Sequence, residues 1–164
     1  NYSDLDVEFK QVMFESVVFE PEFDTVIATN VLEHVESPAE FIGVCRTALR
    51  PGGRLIFTVP NATSLHKRIG LHMGLIDDLY ALTEADLGKG HTRIYDAETL
   101  RRDLEDSNFD VSHIGGILLK PLSNSQMETW DRGVIEALYK IGREMPDLSS
   151  SLIAVGDLPV SLDA

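Results

Sequence analysis

The sequence predicts an α/β sandwich built on a mainly parallel sheet, and three neighbouring stretches carry that prediction. Phe23–Thr29 contains the consecutive apolar residues Val26, Ile27 and Ala28, as suits a strand covered on both faces of a parallel sheet. Ser37-Pro38-Ala39-Glu40 reads as a helix start, with serine as cap, proline in the first turn and Glu40 reaching back. Pro51-Gly52-Gly53 then turns the chain into a further strand, Arg54–Val59, closed by Pro60-Asn61. Strand, capped helix, glycine turn and strand form a βαβ unit, whose crossover is expected to be right-handed.

The remaining elements follow from periodicity. Phe9–Phe14 reads as a short strand on the β character of Phe9, Val12 and Phe14. The capped helix buries one stripe, Phe41, Val44, Cys45, Ala48 and Leu49, at helical spacing. A second helix is expected from about Asp96 to Ser107, with Ala97, Leu100 and Leu104 on one face. A strand from Val111 to Leu119 follows, interrupted at Gly115-Gly116. A third helix, about Gln126 to Arg143, carries Met127, Trp130, Val134, Leu138 and Ile141 and is stopped by Pro146. Ser151–Val155 is a last short strand, and Gly156 to Ala164 reads as a fraying tail. Alternating strands and helices of this kind define the α/β class.

The 164 residues favour a single domain, and 43% apolar with 25% charged residues is ordinary for a globular chain. Acidic residues outnumber basic ones 27 to 14, a formal net charge of −13. Such a chain repels phosphate backbones and anionic lipid, and no local run of Lys and Arg offers an exception. The expectation is therefore neither nucleic-acid nor membrane binding. One cysteine, Cys45, forms no intrachain disulfide, so a reducing cytoplasm is the default setting.

Ligands of open α/β sheets sit in the crevice beyond the carboxyl ends of the strands. Asn30 is the first polar residue past one such end, Glu33 and His34 follow within a turn, and Asn61 holds the equivalent place on the next strand. The connection from Asn61 to Tyr95 is much longer than an ordinary strand-to-helix link, which marks it as a lid or binding segment. It holds His66, His72 and His91, and Met73, Leu75, Ile76, Leu79, Tyr80 and Leu82 suggest a short covering helix.

The stretch "FDTVIATNVLEHVESPAEFIGVCRTALRPGGRLIFTVPN" resembles the second half of a Rossmann-like S-adenosylmethionine-dependent methyltransferase domain. Its F-D-x-V strand, L-E-H turn, L-R-P-G-G turn and V-P-N strand end fall at the family's spacing. The resemblance runs from Phe9 to about Val155, and "GHTRIY" and "GGILLKPLSN" are similar to small-molecule O-methyltransferases of bacterial biosynthetic clusters. It implies a Rossmann-like, mainly parallel sheet with flanking helices that lacks its first two strands. The family's Gly-rich cofactor loop and the acidic residue ending its second strand have no counterpart in this sequence. Residues 1–156 are thus expected to be the carboxyl-terminal portion of a methyltransferase domain, with a lid-like insertion at about 61–95 and a tail at 157–164. An unpaired sheet edge beside Phe23–Thr29 follows from the missing strands.

The resemblance further implies S-adenosylmethionine as cofactor and a small-molecule acceptor, and leaves open a homodimer. Its adenine-contacting segment falls on Met13, Phe14 and Glu15, its contact after the next strand on Asn30 with Val31 adjacent, and its L-E-H histidine on His34. Methyl transfer to oxygen requires an aligned hydroxyl and a base for its proton, a task that suits histidine. His91, freed by Gly88 and Gly90, is the first candidate, against a role in bonding the lid to Asp96 or Tyr95. His66 is the second, against a plain surface position, and His34 could instead orient its turn. Lys120 and Asn124 read as solvated loop residues, with contact to the acceptor as the other reading. Glu33, His34 and Glu36 point in different directions from a helical start, so no metal site is expected. Cys45 belongs to the core. Competing with an O-methyltransferase are a non-catalytic methyltransferase-like interaction module or fragment, favoured by the missing loop, and, last, a nicotinamide oxidoreductase.

Overall fold

The computed structural model describes residues 7–160, with the side chain of Glu15 outside the description. The βαβ unit forms as expected. β1 (Phe23–Thr29) leads to α1 (Pro38–Ala48), where the Ser37 hydroxyl accepts the Glu40 N–H at 3.3 Å, and α1 passes directly into β2 (Leu49–Pro60). β1 and β2 pair in parallel.

Past β2 the connection carries two short helices, α2 (Leu65–His72) and α3 (Glu84–Gly88), rather than one covering helix over residues 73–82. That apolar run lacks a stripe to bury, and Met73 and Leu75 are exposed. α4 (Ala97–Asp106) follows, capped by Asp96 accepting the Thr99 N–H at 2.8 Å, and then β3 (Asp110–Gly116). The third expected helix is two: α5 (Asn124–Met127) and α6 (Arg132–Glu144). Asp131 explains the break, because its carboxylate accepts the Gly133 N–H at 2.7 Å and starts a new helix. β4 (Ser151–Asp157) closes the sheet two residues beyond the expected end. Gly156 is buried and Leu158 donates its N–H to Gly53 O, so the start of the expected tail belongs to the sheet.

The sheet order is β1-β2-β4-β3, with β4 antiparallel to both neighbours. Parallel pairing is found at the βαβ unit, and the α5–α6 connection returns the chain to insert β4 in the opposite sense. This insertion demands close approach. A Cβ on Gly116 would collide with Ser149 Oγ and the Gly142 carbonyl, which only glycine avoids.

β2 alternates fully buried Leu55, Phe57 and Val59 with half-covered Ile56, Thr58 and Pro60. The buried side meets Phe41, Ile42 and Cys45 of α1 and Leu100 and Leu104 of α4, and β4 adds Leu152 and Ala154. Each large side chain in this core contributes roughly 1.5–3 kcal/mol of burial. Cys45 is core as expected, and burial pushes its thiol up to about 11.

Two expectations about the strands fail. β1 is covered on one face only, with Ala28 buried in the core shared with α1 but Ile27, on the opposite face, 64% exposed. Among the described residues the sheet edge at β1 is unpaired, as the sequence suggested. Residues 7–13 form no strand, and Phe14–Ser16 make a single 3-10 turn. With no neighbouring strand to bond, β propensity alone does not order the segment. Phe9 is 92% exposed, and only Phe14 finds apolar packing, its ring edge-on to Phe41 at 4.8 Å.

Candidate functional site

A cavity of about 380 Å³ opens beyond the carboxyl ends of β1 and β2, where the sheet rule puts a ligand. Asn30, Asn61, His66, His91, Lys120 and Asn124 all line it. Two of these were read from the sequence as solvated loop residues, and the fold brings them into the cavity with the histidines.

The β1 exit is shaped by Asn30, whose backbone is left-handed at φ 52°. Asparagine tolerates this region better than most residues. The Asn30 N–H donates to Thr58 O at 2.9 Å, and its side-chain oxygen accepts the Thr58 hydroxyl at 3.1 Å. Asn61 is structural. Its side-chain N–H groups reach Asp147 O and Ser149 O at 3.0 and 2.9 Å, and its oxygen accepts the Thr63 N–H.

The end of the long connection after β2 is stitched to the L-E-H turn. Thr92 donates its N–H to Glu33 O at 2.9 Å, the Arg93 guanidinium donates to the carbonyls of Val35 and Glu36, and the His34 Nδ1–H donates to Gly90 O at 3.2 Å. These bonds place the His91 ring edge-on to His34, with centroids 4.8 Å apart. His34 therefore orients its turn and supports His91 and does not itself line the cavity. Behind His91 stands Asp86, its Oδ1 3.4 Å from His91 Nδ1. Burial alone would raise the Asp86 pKa. The Thr83 N–H and hydroxyl, Lys67 and His91 outweigh it and hold the carboxyl below its usual range. An acidic group fixed behind an imidazole is the arrangement that orients a base. His91 thus faces Asp86 within ion-pair range, while Asp96 and Tyr95 are bonded to Tyr80 and Asp103 respectively. The partner of His91 lay five residues upstream across a glycine turn, a pairing that helical or strand spacing does not reveal.

His66 stands on α2, and its Nδ1 is buried without a hydrogen-bond partner among the described residues. Burial, then repulsion from Lys120 and Lys67, lowers its pKa to about 4, so at neutral pH it is an uncharged donor and acceptor. Lys67 is nearly buried and donates to Leu79 O at 3.1 Å, tying α2 to the middle of the connection.

The other predicted residues lie elsewhere. Val31 packs half-buried against the core, and Phe14 lines a separate apolar depression with Val17, Val18 and Phe19 over α1. Neither lines the cavity. The Glu15 prediction falls on a side chain outside the description.

Glu33 is the residue sequence reasoning undervalued. It is 1% exposed, its Oε2 has no hydrogen-bond partner among the described residues, and burial raises its pKa. Its Oε1 is 3.9 Å from His34 Nε2. With His91 it completes a trio whose ligand-capable atoms lie within 4.8 Å of one another. The expectation of no metal site weighed Glu33, His34 and Glu36 of the turn without His91, which arrives from the far end of the connection.

The fold is that of a methyltransferase domain. The family model for methyltransferase domains matches residues 4–114, and the chain belongs to that family. The chain is 31% identical over 122 residues to the mitochondrial ubiquinone biosynthesis O-methyltransferase of Homo sapiens, which covers 71% of the chain and 31% of that protein. Over 61 residues it is 39% identical to the ubiquinone biosynthesis O-methyltransferase of Stutzerimonas stutzeri, covering 36% of the chain and 26% of that protein. The chain thus spans about a third or less of the length of these curated relatives. Among solved structures, an S-adenosylmethionine-dependent methyltransferase from Mesorhizobium loti aligns with a TM-score of 0.59 at 16% identity. It covers 94% of the chain and 71% of its own, and shows a shared fold. Among the described residues no helix is long and apolar enough to cross a membrane.

Proposed function

We infer that this chain forms the acceptor side of an S-adenosylmethionine-dependent methyltransferase acting on an oxygen of a small molecule. The observation that carries the reading is the Asp86–His91 pair, which aims an oriented imidazole into a crevice cavity beside neutral His66. S-adenosylmethionine supplies an electrophilic methyl group on a sulfonium. His91 takes the hydroxyl proton as the oxygen attacks, Asp86 stabilises the imidazolium that results, and His66 positions the acceptor by hydrogen bonding. Asn30 is the donor contact best supported, since it lines the cavity at the β1 exit. Phe14, Glu15, Val31 and His34 rest on the resemblance alone as donor contacts. The lone buried thiol is compatible with a cytoplasmic setting, and the net charge of −13 argues against nucleic acid. A homodimer remains the assembly to look for, by sedimentation.

The experiment is methyl transfer to a phenolic acceptor by the protein containing this chain, with S-adenosylhomocysteine binding measured beside it. His91→Asn is expected to lower kcat about 10²–10⁴-fold with S-adenosylhomocysteine affinity nearly unchanged. A protein that binds no S-adenosylhomocysteine would sink the reading.

The unpartnered Glu33 oxygen favours a second reading. His34 and His91 are each held on the Nδ1 side, by a carbonyl and a carboxylate, which is how imidazole metal ligands are oriented. Glu33, His34 and His91 would then hold a divalent ion, which acidifies the acceptor hydroxyl as a Lewis acid. Calorimetric titration with Zn2+ or Mn2+ decides: saturable binding lost in Glu33→Gln supports this reading, and no heat rejects it.

A further inference from the structure

The cavity reverses the charge of the chain that builds it. Three of the five lysines in the sequence, Lys67, Lys89 and Lys120, line it, against one carboxylate, Asp86. That carboxylate is already engaged by Thr83, His91 and Lys67. The sequence shows no basic run, because these lysines come from α2, the end of the connection and the loop after β3. Folding makes the cluster.

Lys120 is shielded from water without an acidic partner among the described residues, whereas Lys89 is exposed. Lys120 is half-buried, it donates to the neutral Asn124 side chain at 3.3 Å, and it has no carboxylate in ion-pair range among the described residues. Burial, then repulsion from Lys89, lowers its pKa. Lys67 differs, being held by two backbone carbonyls and by Asp86 at 4.0 Å. Removing an ammonium from water is costly unless an anion meets it. In a chain of net charge −13, three lysines around one cavity form a local field that draws an anion from solution. The neutral His66 beside them adds no competing charge.

We propose that Lys120, assisted by Lys89, is a subsite for a carboxylate on the acceptor, so that the substrate is a hydroxylated organic acid. The carboxylate bonds the Lys120 ammonium and the Asn124 amide, and the far end of the molecule presents its hydroxyl to His91. The inference rests on reading this cavity as the acceptor site.

Calorimetric titration of the protein containing this chain with 4-hydroxyphenylacetate and with its uncharged amide reads the preference directly. The acid is expected to bind about tenfold or more tightly than the amide, as a charge-assisted bond in a partly dry site would give. Lys120→Met should bring the two within about twofold, chiefly by weakening the acid, since an ammonium bonds a carboxylate more strongly than an amide carbonyl. Lys89→Met should lower the ratio by a smaller factor, and because Lys89 is exposed it keeps the test decisive if Lys120→Met does not fold. Equal binding of acid and amide, or no binding of either, overturns the proposal, as does a preference that survives both substitutions. Tighter binding of phenylphosphonate than of the acid would overturn the carboxylate assignment in favour of a dianion. A loss of S-adenosylhomocysteine affinity in Lys120→Met would reassign the lysine to the donor's carboxylate. Failure of methyl transfer with this charge preference intact would count against the catalytic reading alone.

Discussion

The βαβ unit, residues 23–60, and the connection, residues 62–95, are of comparable length and are held by different forces. The first is fixed by apolar burial, with Leu32, Ile42, Leu55, Phe57 and Val59 at 0% exposure. In the second, α2 and α3 bury no side chain, and Met73, Leu75 and Leu87 are more than half exposed. Its shape depends on directed polar bonds: Lys67 to Leu79 O, Tyr80 to Asp96, Asp86 to Thr83, Thr92 to Glu33 O, and Arg93 to Val35 and Glu36. Burial is non-directional and insensitive to pH, so it makes a rigid scaffold. Polar stitching places particular atoms, and it responds to protonation. The catalytic candidates and the three cavity lysines all belong to the polar part or to the scaffold's rim.

The contrast can be broken from the scaffold side. Phe57→Ala should cost about 3–5 kcal/mol, by lost transfer energy and the cavity left behind, and show as one cooperative drop in the melting temperature. A shift under 1 kcal/mol would mean that the β2 core is not where stability resides.

Acid should act on the connection. The His66 pKa is about 4 in the fold against an ordinary 6.5, so the unfolded chain binds the extra proton between those values. Stability from this group is complete above pH 6.5 and is lost as pH falls toward 4. Allowing for partial exposure, the loss is about 2 kcal/mol. Glu33, its pKa raised by burial, works in the opposite direction. His66→Gln should flatten the acid limb of a denaturation series. An unchanged limb would show that His66 is well solvated.

The smallest effect sharpens the comparison. Arg93→Met removes two bonds to the L-E-H turn at a cost of about 1–2 kcal/mol. Hydrogen exchange should quicken across residues 84–95 and stay slow in β2. Equal acceleration in both would show that connection and scaffold open as one unit.

Much of the scaffold was legible in the sequence. The Ser37 cap, the Phe41–Cys45–Ala48 stripe and the Leu100–Leu104 face are local signals, since a helix brings residues three or four apart together whatever surrounds it. The expected strand at Phe9–Phe14 failed because a strand needs a partner that its own residues cannot supply. The single helix over 126–143 failed because Asp131 reads as an ordinary polar residue until its cap geometry is seen.

For the site, the sequence by itself determined the crevice, through Asn30 and Asn61 at the strand ends, and it picked out His66 and His91 as chemically suited. Only the tertiary structure decided which groups face one another. It set Asp86 behind His91, brought His91 against His34 and the unpartnered carboxylate of Glu33, and gathered Lys67, Lys89 and Lys120 around one cavity. The physical reason is range. Caps and stripes act within a few residues along the chain, whereas a site is assembled across the sheet by contacts whose distance in sequence carries no period to read.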